Sequence, residues 1–529
     1  MFKKLSKGKG FSSKQKALPM ESTDSLHIND KSISLAASLF EDGTVLCRRG
    51  KLTEGIRLLE RSLSMHDNVP ALHFNLGKAY AETGNINMAR ERFHSCLHLD
   101  PGHVECYIEL ASCSSHEGDI SSSEQYLTKA LEVDKCHYGA WYNLGRNYAK
   151  KDKFIEAIHC YEKALANNQG FLKALTNMAL CYDRIGDLDK AIELTRRHLR
   201  LMPSDALSNK NLGIYLLAAG QLKEGWERYE YRFSDTVDPV DPYITPIIPR
   251  ITNQPPEETR LLVVSEQGLG DCIQFCRFIP QARKTFKEIH LCCPHDFHEI
   301  VISSGIDCNP VDRDSVEFTN YDAWIPLLSL PALLGLNEIQ QIDGAPYLTD
   351  LGEREQSPIE NIYASTLVVG IHWQGSMKSS EENGQVGVGR SFPLARFKDI
   401  ASLDHVGLIS LQIGCGTEQV PDCSFKSKFL IGPTEKEGRS LMETANLIRV
   451  CDLVITNDTS IAHLSGAMGI ETHILLQKFP DWRWGQVGKS TYWYEKAILH
   501  RQEHSGCWDS VFSSIYEYLS QPNKKALQQ

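Results

Sequence analysis

The chain has 529 residues, 42% hydrophobic and 23% charged, enough at about 150 residues per domain for three or four units, which excludes a single small binding module. Sixty-seven acids against 56 bases give a net charge of -11, which argues against broad nucleic-acid binding, because that normally needs a basic surface. The longest weakly polar stretch, 324–336, spans 13 residues and holds two prolines, too short for a membrane helix, so no transmembrane segment is expected.

Lys3, Lys4, Lys7, Lys9, Lys14 and Lys16 open the chain without an acid or an apolar run, so 1–32 reads as a disordered basic tail and not as a secretory signal. From there to residue 235 the sequence repeats itself every 34 residues, in units beginning near Ala37, Ala71, Glu105, Gly139, Lys173 and Leu207. Within each unit the seventh place is small (Gly43, Gly77, Ala111, Gly145, Ala179, Gly213), and so is the nineteenth (Gly55, Ala89, Ser123, Ala157, Ala191, Gly225). Small residues at two fixed places let two helix backbones approach closely. Between them stands a turn residue (Gly50, Gly84, Gly118, Asp152, Gly186, Gly220) suited to a helix C-cap.

This helix-turn-helix unit resembles the tetratricopeptide repeat (TPR), whose length and small, aromatic and proline pattern it shares. The resemblance implies an α-solenoid whose concave surface takes a protein or peptide. Asn75, Asn143, Asn177 and Asn211 recur two places before the small seventh residue. They read either as a solvated face or as an amide ladder that bonds an extended partner backbone, and the ladder is the preferred partner-binding assignment.

Prolines 239, 242, 246, 249, 255 and 256 mark a connector over 236–258. Beyond it, β-rich runs at 261–265, 289–293, 367–373, 406–412, 453–456 and 473–476 alternate with amphipathic helices, a pattern that predicts parallel sheets. A break near 352–361 divides this part into two Rossmann-like domains, 259–355 and 356–522, with ligands expected at the carboxyl ends of the strands. The fold class is therefore α plus α/β. The sixteen cysteines, among them Cys96, Cys113, Cys160, Cys181 and Cys451, fall inside apolar patterns, which reads as reduced, cytoplasmic usage.

Four stretches carry candidate chemistry. After the first strand, Glu266, Gln267, Gly268, Leu269, Gly270 and Asp271 form a glycine-rich turn into a helix, with the two carboxylates as candidate general bases or, for Asp271, helix N-terminal charge compensation. It is neither a dinucleotide fingerprint nor a Walker loop. Trp373 and Gln374 lead through a glycine-rich loop to Arg390, a plausible phosphate partner. Asp458, Thr459 and Ser460 supply helix-capping chemistry, and His463 falls on the same helical face as Thr459. A fourth stretch, Asp481, Trp482, Arg483 and Trp484, interleaves aromatics with charge.

Together these elements resemble the heptosyltransferase-like glycosyltransferases (glycosyltransferase family 9), and more closely their TPR-fused relatives, over roughly 260–519. The resemblance implies a GT-B pair of Rossmann-like domains and a metal-independent inverting transfer, with a nucleotide sugar as co-substrate and no other cofactor. The family's catalytic aspartate falls on Asp271, and its Asp-Thr/Ser and His-x-x-x-Ala motif on Asp458, Thr459, His463 and Ala467. Its basic residue before Trp-Pro falls on Arg390, where the family more often has Lys. Asp271 and Glu266 are the catalytic candidates; Gly268, Gly270, Trp373, Gln374, Arg390, Asp458, Thr459, Ser460 and His463 are the donor-binding ones.

A zinc site from His290, Cys292, Cys293, His295 and His298 is disfavoured, because adjacent strand residues point to opposite faces and no Cys-x-x-Cys pair is present. The Asp-x-Asp triplets at Asp187 and Asp312 are set aside, the first as a repeat turn. The expected function is a cytoplasmic glycosyltransferase acting on a protein recruited by the repeats. The alternatives are a non-catalytic TPR adaptor with a degenerate transferase half, and a transferase acting on glycolipid or lipopolysaccharide.

Overall fold

The computed structural model describes residues 23–234, 244–252, 258–349, 351, 366–375, 389–431 and 439–521. It forms two compact units, the first ending at Ala174 and the second beginning at Leu175. In the first, four helix pairs follow the 34-residue period: Thr23–Arg48 with Leu52–Met65, Pro70–Glu82 with Ile86–Leu99, Val104–His116 with Ile120–Val133, and Tyr138–Lys150 with Phe154–Asn167. The small places do what close packing requires. A methyl group on Gly77 would lie 2.7 Å from the Phe93 ring, and one on Gly145 would lie 2.6 Å from the Tyr161 ring. The turn places take left-handed backbone throughout, from φ 56° at Asp152 to φ 85° at Gly186.

The basic tail requires a correction: helix Thr23–Arg48 begins inside the stretch read as disordered, and 1–22 lie outside the described residues.

The second unit holds the last repeats, with helices Leu188–Leu201, Ala206–Ala218 and Leu222–Tyr229, and two parallel sheets. Strands β1 (Arg260–Val264), β2 (Glu288–Cys292), β3 (Asn309–Val311) and β4 (Ala323–Pro326) form the first sheet in the order β3-β2-β1-β4. Strands β5 (Leu367–Ile371), β6 (Val406–Ser410), β7 (Phe429–Ile431), β8 (Leu453–Asn457), β9 (Glu471–Leu476) and β10 (Ala497–Arg501) form the second in the order β10-β9-β8-β5-β6-β7. All pairings are parallel, and β5 and β8 are buried at every residue, as parallel sheets covered on both faces require.

One apolar core joins the final repeat to both sheets. Leu217, Leu222, Trp226 and Tyr229 pack in the same cluster as Leu261, Phe275, Ile461 and Trp482. Polar bonds fix the junction: Trp226 Nε1 donates to the Leu336 carbonyl at 3.0 Å, and Gln267 Nε2 donates to Tyr229 Oη at 2.9 Å. The proline-rich connector is not a free spacer where it is described. Ile251 N donates to Trp324 O and Trp324 N to Pro249 O, both at 3.0 Å, so 249–251 run beside β4; 235–243 and 253–257 lie outside the described residues. The break at 352–361 also lies outside them.

Candidate functional site

A cleft of about 1140 Å³ opens in the second unit, lined from the carboxyl ends of β1, β2, β5, β6, β8 and β9. Parallel strands place their following turns, with exposed N–H groups and helix starts, at this end.

The turn after β1 is built around two carboxylates with different fates. Glu266 is buried and fully bonded: Arg232 Nε and NH2 donate to its two oxygens at 3.0 and 2.8 Å, and Leu328 N adds a bond at 3.1 Å. Arg232 is itself buried, with Tyr229 and Phe233 rings against its guanidinium at 4.6 and 4.2 Å, and Glu266 and Glu230 hold its pKa above the ordinary arginine value despite burial. The expectation of two carboxylates at the cleft is therefore corrected to one. Glu266 ties the repeat end to the first sheet.

Gln267, the next residue, stands at φ 62°, a left-handed conformation a branched-chain-free but non-glycine residue adopts at a cost, held here by its bond to Tyr229. That bend aims Gly268, Leu269, Gly270 and Asp271 into the cleft at the start of helix Leu269–Phe275. Asp271 Oδ2 accepts from Gly268 N at 3.0 Å, and Oδ1 is ion-paired with Arg483 NH2. Arg483 is buried and three-fold anchored, with Nε on Gln274 Oε1 and NH1 on Asp481 Oδ1, both at 2.8 Å. The carboxylate's direction is thus set from the second sheet's side of the cleft.

In the second sheet, the turn after β8 presents Asp458, Thr459 and Ser460 at the start of helix Ser460–Ala467. Arg390 NH1 donates to the Asp458 carbonyl at 3.0 Å, and Asn457 Nδ2 returns a bond to the Arg390 carbonyl at 3.0 Å, so the arginine is held beside the helix start. Burial, and secondarily the charge of Asp481, pushes the Asp458 carboxyl up to about 6. His372 pairs with Asn457 Oδ1 at 2.9 Å, and burial pushes its pKa down to about 4. His463 pairs with Tyr494 Oη at 2.9 Å and stacks on Trp484 at 5.3 Å; burial, then the charge of Arg483, pushes it down to about 3. At neutral pH it is an uncharged wall of the cleft and not a cation for a diphosphate.

Gly268, Gly270, Asp271, Gln374, Arg390, Asp458, Thr459, Ser460 and His463 all line this one cleft. Trp373 does not, and its assignment as a donor-binding residue is corrected: it is fully buried with Phe392, Phe397 and Trp508 in the core on the other face of the second sheet. Residues 376–388 of the glycine-rich loop lie outside the described residues. The four repeat asparagines are half-buried on the first helices of their pairs, and Asn75 Nδ2 donates to Thr44 Oγ1 at 3.1 Å, a bond inside the repeats. The sequence singled out the stretch holding Arg483, as a charge between two tryptophans, without giving it a role, and it gave no sign of Arg184, which reaches the cleft from a repeat helix and lies 5.2 Å from the Phe479 ring centroid.

Three tetratricopeptide repeat models match the chain, at residues 104–135, 138–171 and 160–193. The chain carries tetratricopeptide repeats, and such repeats imply protein–protein interaction. It is similar to Protein FlbA of Caulobacter vibrioides, at 22% identity over 514 residues covering 88% of this chain and 81% of FlbA. It is also similar to the tetratricopeptide repeat-containing protein trd-1 of Caenorhabditis elegans, at 24% identity over 30% of this chain and 20% of that one. A third similarity is to the probable UDP-N-acetylglucosamine–peptide N-acetylglucosaminyltransferase SPINDLY of Hordeum vulgare, at 30% identity over 95 residues, 17% of this chain and 10% of that protein. The chain thus spans a small part of the last two. Among solved structures, MamA matches 34% of this chain and 96% of its own at 23% identity and TM-score 0.29. Pseudomonas aeruginosa pilF matches 39% and 90% at 17% identity and TM-score 0.35. Among the described residues no helix is long and apolar enough to cross a membrane.

Proposed function

We propose that this protein is a glycosyltransferase of GT-B architecture that moves a sugar from a nucleotide-sugar donor to a protein bound by its repeats, with inversion and without a catalytic metal. The observation that carries the reading is the pairing of features across the cleft. Asp271 projects from the turn after β1, while Arg390 and the helix start at Thr459 and Ser460 come from the second sheet. The partial similarity to a probable peptide N-acetylglucosaminyltransferase supports the same class.

In this reading an acceptor hydroxyl attacks the anomeric carbon and gives its proton to Asp271, as the bond from that carbon to the diphosphate oxygen breaks. The charge left on the nucleoside diphosphate is met by Arg390 and by the first N–H groups of helix Ser460–Ala467. Arg483 acts as a positioning residue, since it fixes Asp271 while anchored on Gln274.

One observation favours the adaptor reading: both oxygens of Asp271 already have partners, Gly268 N and Arg483. Release of nucleoside diphosphate from a panel of nucleotide sugars separates the two. The transferase reading expects release with at least one donor and its loss in Asp271→Ala; no release with any donor, or full release from Asp271→Ala, refutes it.

A further inference from the structure

Two sequence features set aside above, the histidines after β2 and the Asp-x-Asp triplet after β3, meet in space. His295 lies in the single turn His295–Phe297 and His298 opens helix His298–Ser303, while Asp312 directly follows β3. One ligand atom from each of the three lies within 4.8 Å of the other two.

The distances are those of a coordination shell. His295 Nδ1 stands 3.3 Å from both Asp312 oxygens, His298 Nε2 stands 3.7 Å from Asp312 Oδ1, and the Cys293 carbonyl oxygen lies 3.2 Å from the same Nε2. A tetrahedron with bonds of about 2.1 Å, as zinc makes to imidazole and carboxylate, has edges of about 3.4 Å. As direct hydrogen bonds the histidine–carboxylate contacts are long, beyond the usual span of about 2.7–3.2 Å. The flanking cysteines take no part: Cys292 is buried with Leu262 and Trp324, and Cys293 on the opposite side with Leu291 and Phe297. The zinc argument from five residues fails for its thiols and survives for two of its histidines.

We infer that His295, His298 and Asp312 form a binding site for one zinc-class divalent cation, with the Cys293 carbonyl or water completing the shell. Imidazole with a carboxylate selects zinc, nickel or cobalt over magnesium or calcium. The His295 side chain is 79% exposed, so the cation enters from solvent. Bound there, it clips the loop after β2 to the loop after β3. Asp296, between the two histidines, lines the cleft, so the clip steadies part of its rim. The site is independent of the proposed transfer reaction.

The test uses the full chain, stripped with a chelator and titrated with Zn²⁺ by calorimetry and with Co²⁺ by visible absorption. A second cluster, Cys96, His103 and Cys106, provides the contrast, because a cobalt–thiolate bond adds a near-ultraviolet charge-transfer band that a nitrogen–oxygen site lacks. The expected result is visible cobalt absorption without the thiolate band, and zinc affinity at least about tenfold weaker in His295→Ala and in Asp312→Asn. His295→Ala removes an exposed side chain, so its effect is not one of folding; circular dichroism of the apo variant checks this. No binding by the parent chain, or binding that keeps its affinity in both variants, overturns the assignment.

Discussion

Gly270 tests whether the cleft is a rigid joint between the two sheets. A methyl group there would stand 2.8 Å from His463 Cδ2 and 3.5 Å from Ser460 Cα. The imidazole is in no position to yield, since Tyr494 Oη holds its Nδ1 at 2.9 Å and Trp484 stacks on its face. Overpacking of this kind costs about 1–3 kcal/mol. Against it stands the gain from replacing a helical glycine by alanine, about 1 kcal/mol or less and smaller in a first turn. The clash wins, and Gly270→Ala is expected to lose about 1–2 kcal/mol in urea unfolding followed by tryptophan fluorescence. His463→Ala also destabilises, through the lost Tyr494 bond and the hole it leaves, but it removes the obstacle. In the double variant the two costs should fall short of their sum by about 1 kcal/mol or more. If the two substitutions add to within about 0.5 kcal/mol, the helices do not meet at these residues and the site's geometry as described is wrong.

Glu266→Gln leaves Arg232 buried with one carboxylate fewer, and breaking such a pair costs about 3–5 kcal/mol; because Glu230 still holds NH1 at 2.8 Å, the loss in unfolding free energy should sit near the lower figure. His372 at about 4, His463 at about 3, and His500 of β10, which burial and then its neighbour His473 at 2.9 Å also push down to about 3, refuse protons that the unfolded chain accepts below its ordinary histidine value, so stability is complete above about pH 6.5 and is lost as pH falls. Asp458, near 6, opposes one of the three by keeping a proton the unfolded chain has released, leaving a fall of up to about 3 kcal/mol per pH unit between pH 6.5 and 5, read from urea midpoints. The raised Asp458 carboxyl works in the other direction: its penalty is absent below the ordinary carboxylate value, grows as pH rises from about 4 and is complete above about 6, so Asp458→Asn should gain about 1–3 kcal/mol over the parent at pH 8, roughly half of that at pH 5 and almost nothing below about pH 4.

The elements most legible in the sequence were those with a period. The 34-residue spacing located six turns that take positive φ, because a helix C-cap constrains a single residue type locally. Six strands appeared close to their expected places, since buried parallel strands read as short apolar runs. Strands β3, β4, β7 and β10 were missed; the first three have only three or four residues, and β4 ends in a proline. At the site, glycines and capping residues marked the turns, but partners did not show. Arg232 lies 34 residues before Glu266 across the proline-rich connector, and Arg483 lies 212 residues after Asp271, separations over which no local pattern reaches. Trp373 was misplaced because a strand end does not reveal which of two buried faces its next side chain joins.

The shared core of the last repeat and the sheets changes where this protein can be taken apart. A cut at the proline-rich connector, the obvious seam in the sequence, would uncover Leu217, Leu222 and Trp226 and strand Glu266 without its arginine. The second compact unit begins at Leu175, inside helix Leu172–Arg184 of the fifth repeat. A chimera that keeps this core intact is therefore joined ahead of Leu172, before that helix begins, and leaves Arg184, Trp226 and Arg232 in place.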